Sequence, residues 1–336
     1  MGIIRRLRLR VKRQRYKARA FRKRRELRCV ADRTSQIGRG DVLLFCTARN
    51  EDVRLPYFLK YYRNLGVNHF LFVDNDSTDG SLDYLSQQED VSIWHTTASY
   101  KRSRFGMDWI NHLLWRYGNN HWTLVVDPDE FFVYPFCDTR PINALTDWLD
   151  ASGVRSFSAM LLDMYPKGPI GDVPYKRGDN PFETALWFDS GNYTLRRNHA
   201  YHELWIQGGP RARAFFADHP EKAPALNKIP LVKWSRRNVY LSSTHALLPR
   251  GLNHVYEQWG GEKPSGALLH AKFLSTFNDK AREELKRRQH YAASMEYRAY
   301  VRKGPDSTDL WCRWSERYIN WRQLEILGLM SKGNWA

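Results

Sequence analysis

Residues 42–81, VLLFCTARNEDVRLPYFLKYYRNLGVNHFLFVDNDSTDGS, hold two apolar runs separated by one helical repeat. Val42 to Cys46 is continuous, of strand length, and bounded by Asp41 and the polar Thr47 to Asp52, which predicts a buried strand. From Asp52 to Leu65, the residues Val53, Leu55, Phe58, Leu59, Tyr62 and Leu65 recur at helical spacing. Pro56 is tolerated in the first turn of that helix, and Gly66 is placed to cap its end. A second apolar run, His69 to Val73, stops at the polar cluster Asp74 to Ser81, and Leu82 to Ser86 reads as a further helix. Strand, helix, strand, turn, helix is the opening of an α/β protein with a mostly parallel sheet flanked by helices.

The alternation continues through a strand at Val91 to Trp94, an amphipathic helix from Met107 to Tyr117, and an apolar strand, Trp122 to Val126, that runs into DPDEFF. Ligands of such sheets sit outside the carboxyl ends of the strands. Arg49, Asn50 and Glu51, then Asp74 to Asp79, then Asp127 with Asp129 are therefore expected around one crevice. Further on, Ile142 to Leu149 reads as a helix, Phe157 to Leu162 as a strand, and Tyr165 to Asn192 as an irregular insertion. Strands are predicted at Leu231 to Trp234, Val239 to Ser242 and Leu268 to Phe273, and helices at Lys280 to Met295 and Glu316 to Leu327.

With 336 residues, 42% hydrophobic and 14% aromatic, the chain can bury a sizeable core without staples. Its four cysteines, Cys29, Cys46, Cys137 and Cys312, form no C-x-x-C pair and read as reduced, in a cytoplasmic setting. The formal charge is +17. Residues 1–28 carry about 14 Lys and Arg against one acid, Glu26, so most of the excess lies in a tail. Ile3, Ile4, Leu7, Val11 and Phe21 interrupt it, with no apolar run long enough for a signal peptide or a membrane span. A peripheral anchor on anionic lipid, a nucleic-acid arm and a disordered leader all fit such a segment, and the apolar residues tilt the choice toward lipid.

Asp127 and Asp129, two residues apart at a strand end, suit one hard divalent cation, Mg²⁺ or Mn²⁺, whose other positions take water and substrate phosphates. A solvated acidic turn is the plain alternative. In WIQGGPRARAF, residues 205–215, Gly208 and Gly209 permit close backbone approach, while Arg211 and Arg213 offer planar donors suited to a diphosphate. A surface turn with solvated arginines fits that stretch equally well. Lys228 is a second candidate phosphate contact. Trp187, Phe188, Tyr193, Trp205 and Trp259 could stack on sugar rings, although in a chain this aromatic the core is their first reading.

Taken together, Val42 to about Gln289 resembles the GT-A fold glycosyltransferases of family-2 type, in the branch whose aspartate motif continues into Glu-Phe. The resemblance implies a GT-A-like, Rossmann-like domain over residues 41–300, with a nucleotide-sugar half at 41–140 and an acceptor half at 141–300. The basic tail of residues 1–40, with room for an amphipathic helix, and a helical extension at 301–336 flank it. It further implies that Thr47, Arg49, Asn50, Glu51, Asp74, Asn75 and Asp76 hold the base and ribose of a nucleotide-sugar, and that Asp127 and Asp129 hold the metal on its diphosphate. His245 or His270 would complete the metal shell. Asn75 stands where the larger family often has a second Asp, and the acceptor-side loop is rich in Gly and Arg rather than acids.

The activity implied is inverting transfer of a sugar from a nucleotide-sugar donor to a glycan or lipid-linked acceptor at the cytoplasmic face of the membrane, as in cell-surface polysaccharide synthesis. Inversion needs a carboxylate base. Asp163 at the end of its strand is the first candidate, followed by Glu203 and Glu130, with a simple turn-capping role for Asp163 as the alternative. A non-catalytic nucleic-acid or anionic-membrane binding protein acting through the tail is the competing reading. A dinucleotide oxidoreductase is disfavoured because no G-x-G-x-x-G follows the first strand.

Overall fold

The computed structural model describes residues 3–255, 263–287, 300–301, 304 and 307–335. Its elements in chain order are α1 (Ile3–Lys23), β1 (Arg28–Ala31), β2 (Val42–Ala48), α2 (Leu55–Leu65), β3 (His69–Asp74), α3 (Ser81–Ser86), β4 (Val91–His95), α4 (Met107–Tyr117) and β5 (Trp122–Val125). There follow β6 (Glu130–Val133), α5 (Ile142–Ala151), β7 (Ser156–Asp163), α6 (Pro181–Thr184), β8 (Trp187–Asp189), β9 (Tyr193–Asn198), β10 (Glu203–Gly208) and α7 (Gly209–Phe215). The chain continues with β11 (Asn227–Lys233), β12 (Val239–Ser242), β13 (Ala246–Leu248), β14 (Ser265–His270), α8 (Phe277–Arg287), β15 (Ser315–Arg317) and α9 (Trp321–Ile326).

Nine strands form one sheet in the order β1-β4-β3-β2-β5-β11-β7-β14-β6. β4, β3, β2 and β5 run parallel, as strand–helix–strand crossovers require. β11 enters antiparallel between β5 and β7, β14 lies parallel to β7, and β6 pairs antiparallel with β14. The fold class is α/β, with a parallel half and a second half of mixed direction.

Alternate residues of β2 serve two cores, because successive side chains of a strand point to opposite faces. Val42, Leu44 and Cys46 pack with Leu55, Phe58, Leu59 and Tyr62 of α2 and with Leu145 and Leu149 of α5. Leu43 and Phe45 pack with Trp109, Ile110 and Leu113 of α4. Helices thus cover both faces, and the carboxyl ends of the central strands are left open. Gly66 ends α2 at φ 98°, the left-handed cap that the sequence predicts.

Several expectations are corrected. The basic segment does form the helix that the sequence leaves room for, but it is built into the domain: α1 packs along α4 and β12, and β1 pairs with β4 as the sheet's edge strand. The inner face of α1 supplies Leu9 and Tyr16 to the cluster of Val239, Leu241, Ala246 and Leu248. A disordered leader is thereby removed. β11 begins at Asn227 rather than Leu231; Pro230 disguised it, and the register shifts across that proline between Lys228 and Leu231.

The 301–336 extension is not chiefly helical in its described part. Glu316 lies in β15, paired with β8, and past residue 307 the α-helix there runs only over Trp321–Ile326, started by Asn320, whose side chain accepts from Arg322 and Gln323 N–H. Within the expected irregular stretch 165–192 lie α6 and β8, and the β9–β10 hairpin follows it directly. β14 ends at His270 instead of Phe273. Of the helix expected from Lys280 to Met295, the described residues give Phe277–Arg287, and the rest lies outside them.

Candidate active site

The loops after β2 and β3 form one stitched wall. Asn75 N–H donates to Ala48 O at 2.9 Å, and the Arg49 guanidinium donates to Asn75 O at 2.7 Å and to Asp76 O. Asn50 and Asp76 take left-handed backbone, φ 50° and 61°, which these two residue types tolerate best after glycine. Asp74 is fully buried, with Oδ2 on His95 Nδ1 at 2.8 Å, and Asn50 accepts from Thr78 N–H. Asp74, Asn50 and Asp76 therefore shape the loops, while Thr47, Arg49, Glu51 and Asn75 line the cleft. Thr47 Oγ1 is buried there, close against Gly106, without a hydrogen-bond partner among the described residues.

The acidic motif is a turn, closed by Glu130 N–H on Asp127 O at 3.0 Å. It joins β5 to β6, which are separated in the sheet by β11, β7 and β14. The turn therefore meets side chains from the ends of those strands, Lys228 of β11 and His270 of β14, and His270 links it to Asp163 of β7. Lys228 Nζ lies 2.9 Å from Glu130 and 3.8 Å from Asp127. Burial alone would lower the Lys228 pKa, but Glu130 and Asp127 raise it above the ordinary value, so it stays charged.

His270 stands between two carboxylates, with Nδ1 2.6 Å from Asp163 Oδ1 and Nε2 3.2 Å from Asp129 Oδ2. Against the pull of burial, Asp129 and then Asp163 raise its pKa, and against the push of burial, His270 holds Asp129 well below the usual carboxylate range. Among the described residues no three His, Cys, Asp or Glu side chains converge as a complete metal cage. Asp129 and His270 are instead a pair, with the second ring nitrogen fixed by a carboxylate. That donor set fits a hexacoordinate Mn²⁺ or Mg²⁺ that takes its remaining ligands from water and phosphate. Asp127 opens into the same cleft.

Asp163 does not reach the cleft as a base. Its side chain is 0% exposed, with Oδ2 on Arg211 Nε at 2.7 Å and Oδ1 on His270. Against burial, Arg211 and His270 lower its pKa, the reverse of what a base needs. Glu203 is also misplaced, at the start of β10 and bonded to Asn198 at 2.7 Å outside the cleft. Burial raises its pKa. Glu130 lines the cleft, tied to Lys228.

Arg211 and Lys228 line the cleft as the sequence predicts, but Arg213 does not. Two residues further along α7, a rotation of about 200°, Arg213 points away, to Asp189 at 2.8 and 2.9 Å. Gly208 does permit close approach, at φ 141°, although to the chain's own Asn192 O, which an added Cβ would meet at 2.1 Å. His245 lines the cleft with Nδ1 on Asn227 O at 2.6 Å, and burial followed by Lys228 lowers its pKa to about 3, so the ring is neutral. Of the aromatic candidates only Trp205 opens into the cleft; Phe188 and Tyr193 pack inside, Trp187 packs near Trp311, and Trp259 lies outside the described residues.

Sequence reasoning predicts a helix at α8 but missed its place in the cleft. Lys280, Glu284 and Arg287 line the cleft at helical i, i+4, i+7 spacing, the signal that could have found them. Lys280 donates to Glu51, and Glu283 accepts from Asn50 at 2.9 Å, so α8 closes over the loops after β2 and β3. Lys272 adds another cation to the lining. The open cleft has a volume of about 660 Å³, room for a nucleotide-sized ligand.

No protein-family model matches the chain, and no curated protein matches it. Among solved structures it is similar to a 4-diphosphocytidyl-2C-methyl-D-erythritol synthase, with 15% identity, 41% of this chain and 68% of that one covered, and a TM-score of 0.25. It is also similar to a protein named as a glucose-1-phosphate thymidylyltransferase from Bacillus anthracis, in complex with a sucrose, at 9% identity, 86% and 95% coverage and a TM-score of 0.28. Likenesses this distant leave the cleft to be read from its own residues.

Proposed function

We propose that the chain is a metal-dependent, inverting glycosyltransferase that moves a sugar from a nucleotide-sugar to a glycan or lipid-linked acceptor, as cell-surface polysaccharide synthesis requires. The observation that carries this reading is the Asp129–His270–Asp163 array at the head of a cation-lined cleft whose other wall is formed by the loops after two parallel strands. Asp129 and His270 would hold Mn²⁺ or Mg²⁺, which when bound supplies positive charge to a departing diphosphate. Asp163 orients the imidazole. Lys228, Arg211, Lys272 and Lys280 place further positive charge along the cleft, where a nucleoside diphosphate leaving group would develop negative charge. Thr47, Arg49, Glu51 and Asn75 would receive the nucleoside.

The test is a thermal-shift panel of UDP, GDP, CDP and dTDP with and without Mn²⁺, since a ligand that binds only the folded state raises the melting temperature. One diphosphate stabilising the protein in a Mn²⁺-dependent way, with the dependence lost in Asp129→Asn, is the expected result. Stabilisation by none of the four, in protein that melts cooperatively, would sink the reading.

A further inference from the structure

The docking of α1 leaves one face outward, and that face has a distinct chemistry. Along it run Ile4, Leu7, Val11 and Phe21, 68, 59, 61 and 50% exposed, at the 3–4–3 spacing of a helical stripe through Gln14 and Ala18. Exposed Arg8, Arg15 and Arg22 follow one edge at seven-residue spacing, and Arg6 and Arg10 flank the other. No acid occurs between Ile3 and Arg25. The opposite face is held to the domain: Arg19 reaches the buried Asp108 at 2.9 Å, Arg104 stacks on the Tyr16 ring, and Lys12 donates to Tyr201. Where α1 meets α4, Phe21 and Lys17 also border an apolar cavity of about 250 Å³ with Trp115 and His112.

We infer that this outward face is a docking surface for an anionic lipid bilayer. An apolar stripe inserts to the level of the acyl boundary while arginines on either side meet headgroup phosphates. A nucleic-acid surface would place its cations at the centre of contact instead of an apolar line. Among the described residues no helix is long and apolar enough to cross a membrane, so the contact is peripheral. Because the inner face is fixed, lipid binding would also fix the orientation of the domain. Arg104 and Asp108, which hold α1, are chain neighbours of Phe105 and Met107 in the cleft lining, so the docked helix is tied to the segment that borders the cleft. The surface itself does not depend on the transfer reaction, and its test uses no donor.

The experiment is co-sedimentation of the full chain with vesicles of phosphatidylglycerol and phosphatidylcholine, or of phosphatidylcholine alone. Binding should require phosphatidylglycerol and weaken at least tenfold between 0.05 and 0.5 M salt. An R8E/R15E/R22E variant should lose at least a hundredfold. An I4S/L7S/V11S variant should lose at least tenfold with an unchanged melting temperature, because those side chains face away from the domain. Equal binding to neutral vesicles, or vesicle binding by the serine variant equal to the parent's, overturns the inference. So does single-stranded RNA or duplex DNA that binds more tightly than vesicles and is indifferent to the serine substitutions. The salt and lipid dependence of the unmodified chain decides the matter even if a variant misfolds.

Discussion

Asp163 grips Nδ1 of His270 at 2.6 Å, and this bond dictates which nitrogen of the ring faces Asp129. Asp163→Asn keeps a hydrogen-bonding oxygen but removes the charge that balances both His270 and Arg211. The variant should bind Mn²⁺ in the presence of diphosphate roughly 10- to 100-fold more weakly, the scale of losing a ligand's carboxylate support. Calorimetric titration measures this directly. Unchanged Mn²⁺ affinity with abolished turnover would return Asp163 to the role of base.

Arg213 makes a two-pronged bond to Asp189, whose side chain is fully buried and also accepts from Tyr165 at 2.5 Å. Arg213→Ala strands that carboxylate, at a cost of about 3 kcal/mol. A lower urea midpoint with unaltered nucleotide affinity is expected. Weakened nucleotide binding at normal stability would place the residue back among the phosphate contacts.

His112 lies under α1, and burial, then Arg116 and Arg24, lower its pKa to about 4. The unfolded residue takes its proton near 6.5, so between those values the unfolded state binds more protons and stability falls as pH falls. Between pH 7 and pH 5 the loss from this one group should be about 2 kcal/mol. Urea unfolding of the parent and of His112→Gln at both pH values isolates it; parallel changes in the two proteins would show that the ring does not titrate in this way.

Arg19 is the clasp of α1, bonded to Asp108 through two nitrogens at 2.9 and 3.1 Å. Arg104 also binds Asp108, at 2.7 Å, so Arg19→Ala leaves the carboxylate paired and costs about 1–2 kcal/mol. The helix should then release more often and present its many basic sites to trypsin. Limited digestion should clip the segment before residue 28 several-fold faster than in the parent, with the remainder intact. An unchanged clipping rate would mean that Leu9 and Tyr16 hold the helix unaided.

The first four strands of the parallel half were legible because each is a continuous apolar run between polar turns, and their ends fixed the place of Arg49, Asn75 and Asp129. Beyond Asp163 the signal weakens for identifiable reasons. Pro230 disguises β11, the β9–β10 hairpin is rich in exposed polar residues, and α8 has an apolar face too narrow to declare what it covers. Asp163 itself was recognisable as a strand-end acid near the cleft, but its bonds to Arg211 and His270 come from residues 48 and 107 positions away. Local pattern carries no information about such partners. The docked face of α1 was hidden by composition, since the apolar residues scattered among so many arginines, Leu9 and Tyr16 included, do not reveal which side meets the domain.

The turn from Asp127 to Glu130 also governs the shape of the sheet that carries it. A flat sheet would hold β5 and β6 about 19 Å apart, four strand spacings. Two extended residues and a closed four-residue turn reach no more than about 14 Å. The strands between them must therefore roll into an arc of which the acidic turn is the chord. Lys228, Asp163 and His270, each at a strand end on that arc, are aimed inward like spokes, so curvature gathers charges that stand far apart along the chain. A residue inserted into the turn would lengthen the chord and flatten the arc, dispersing the array without altering any of its members.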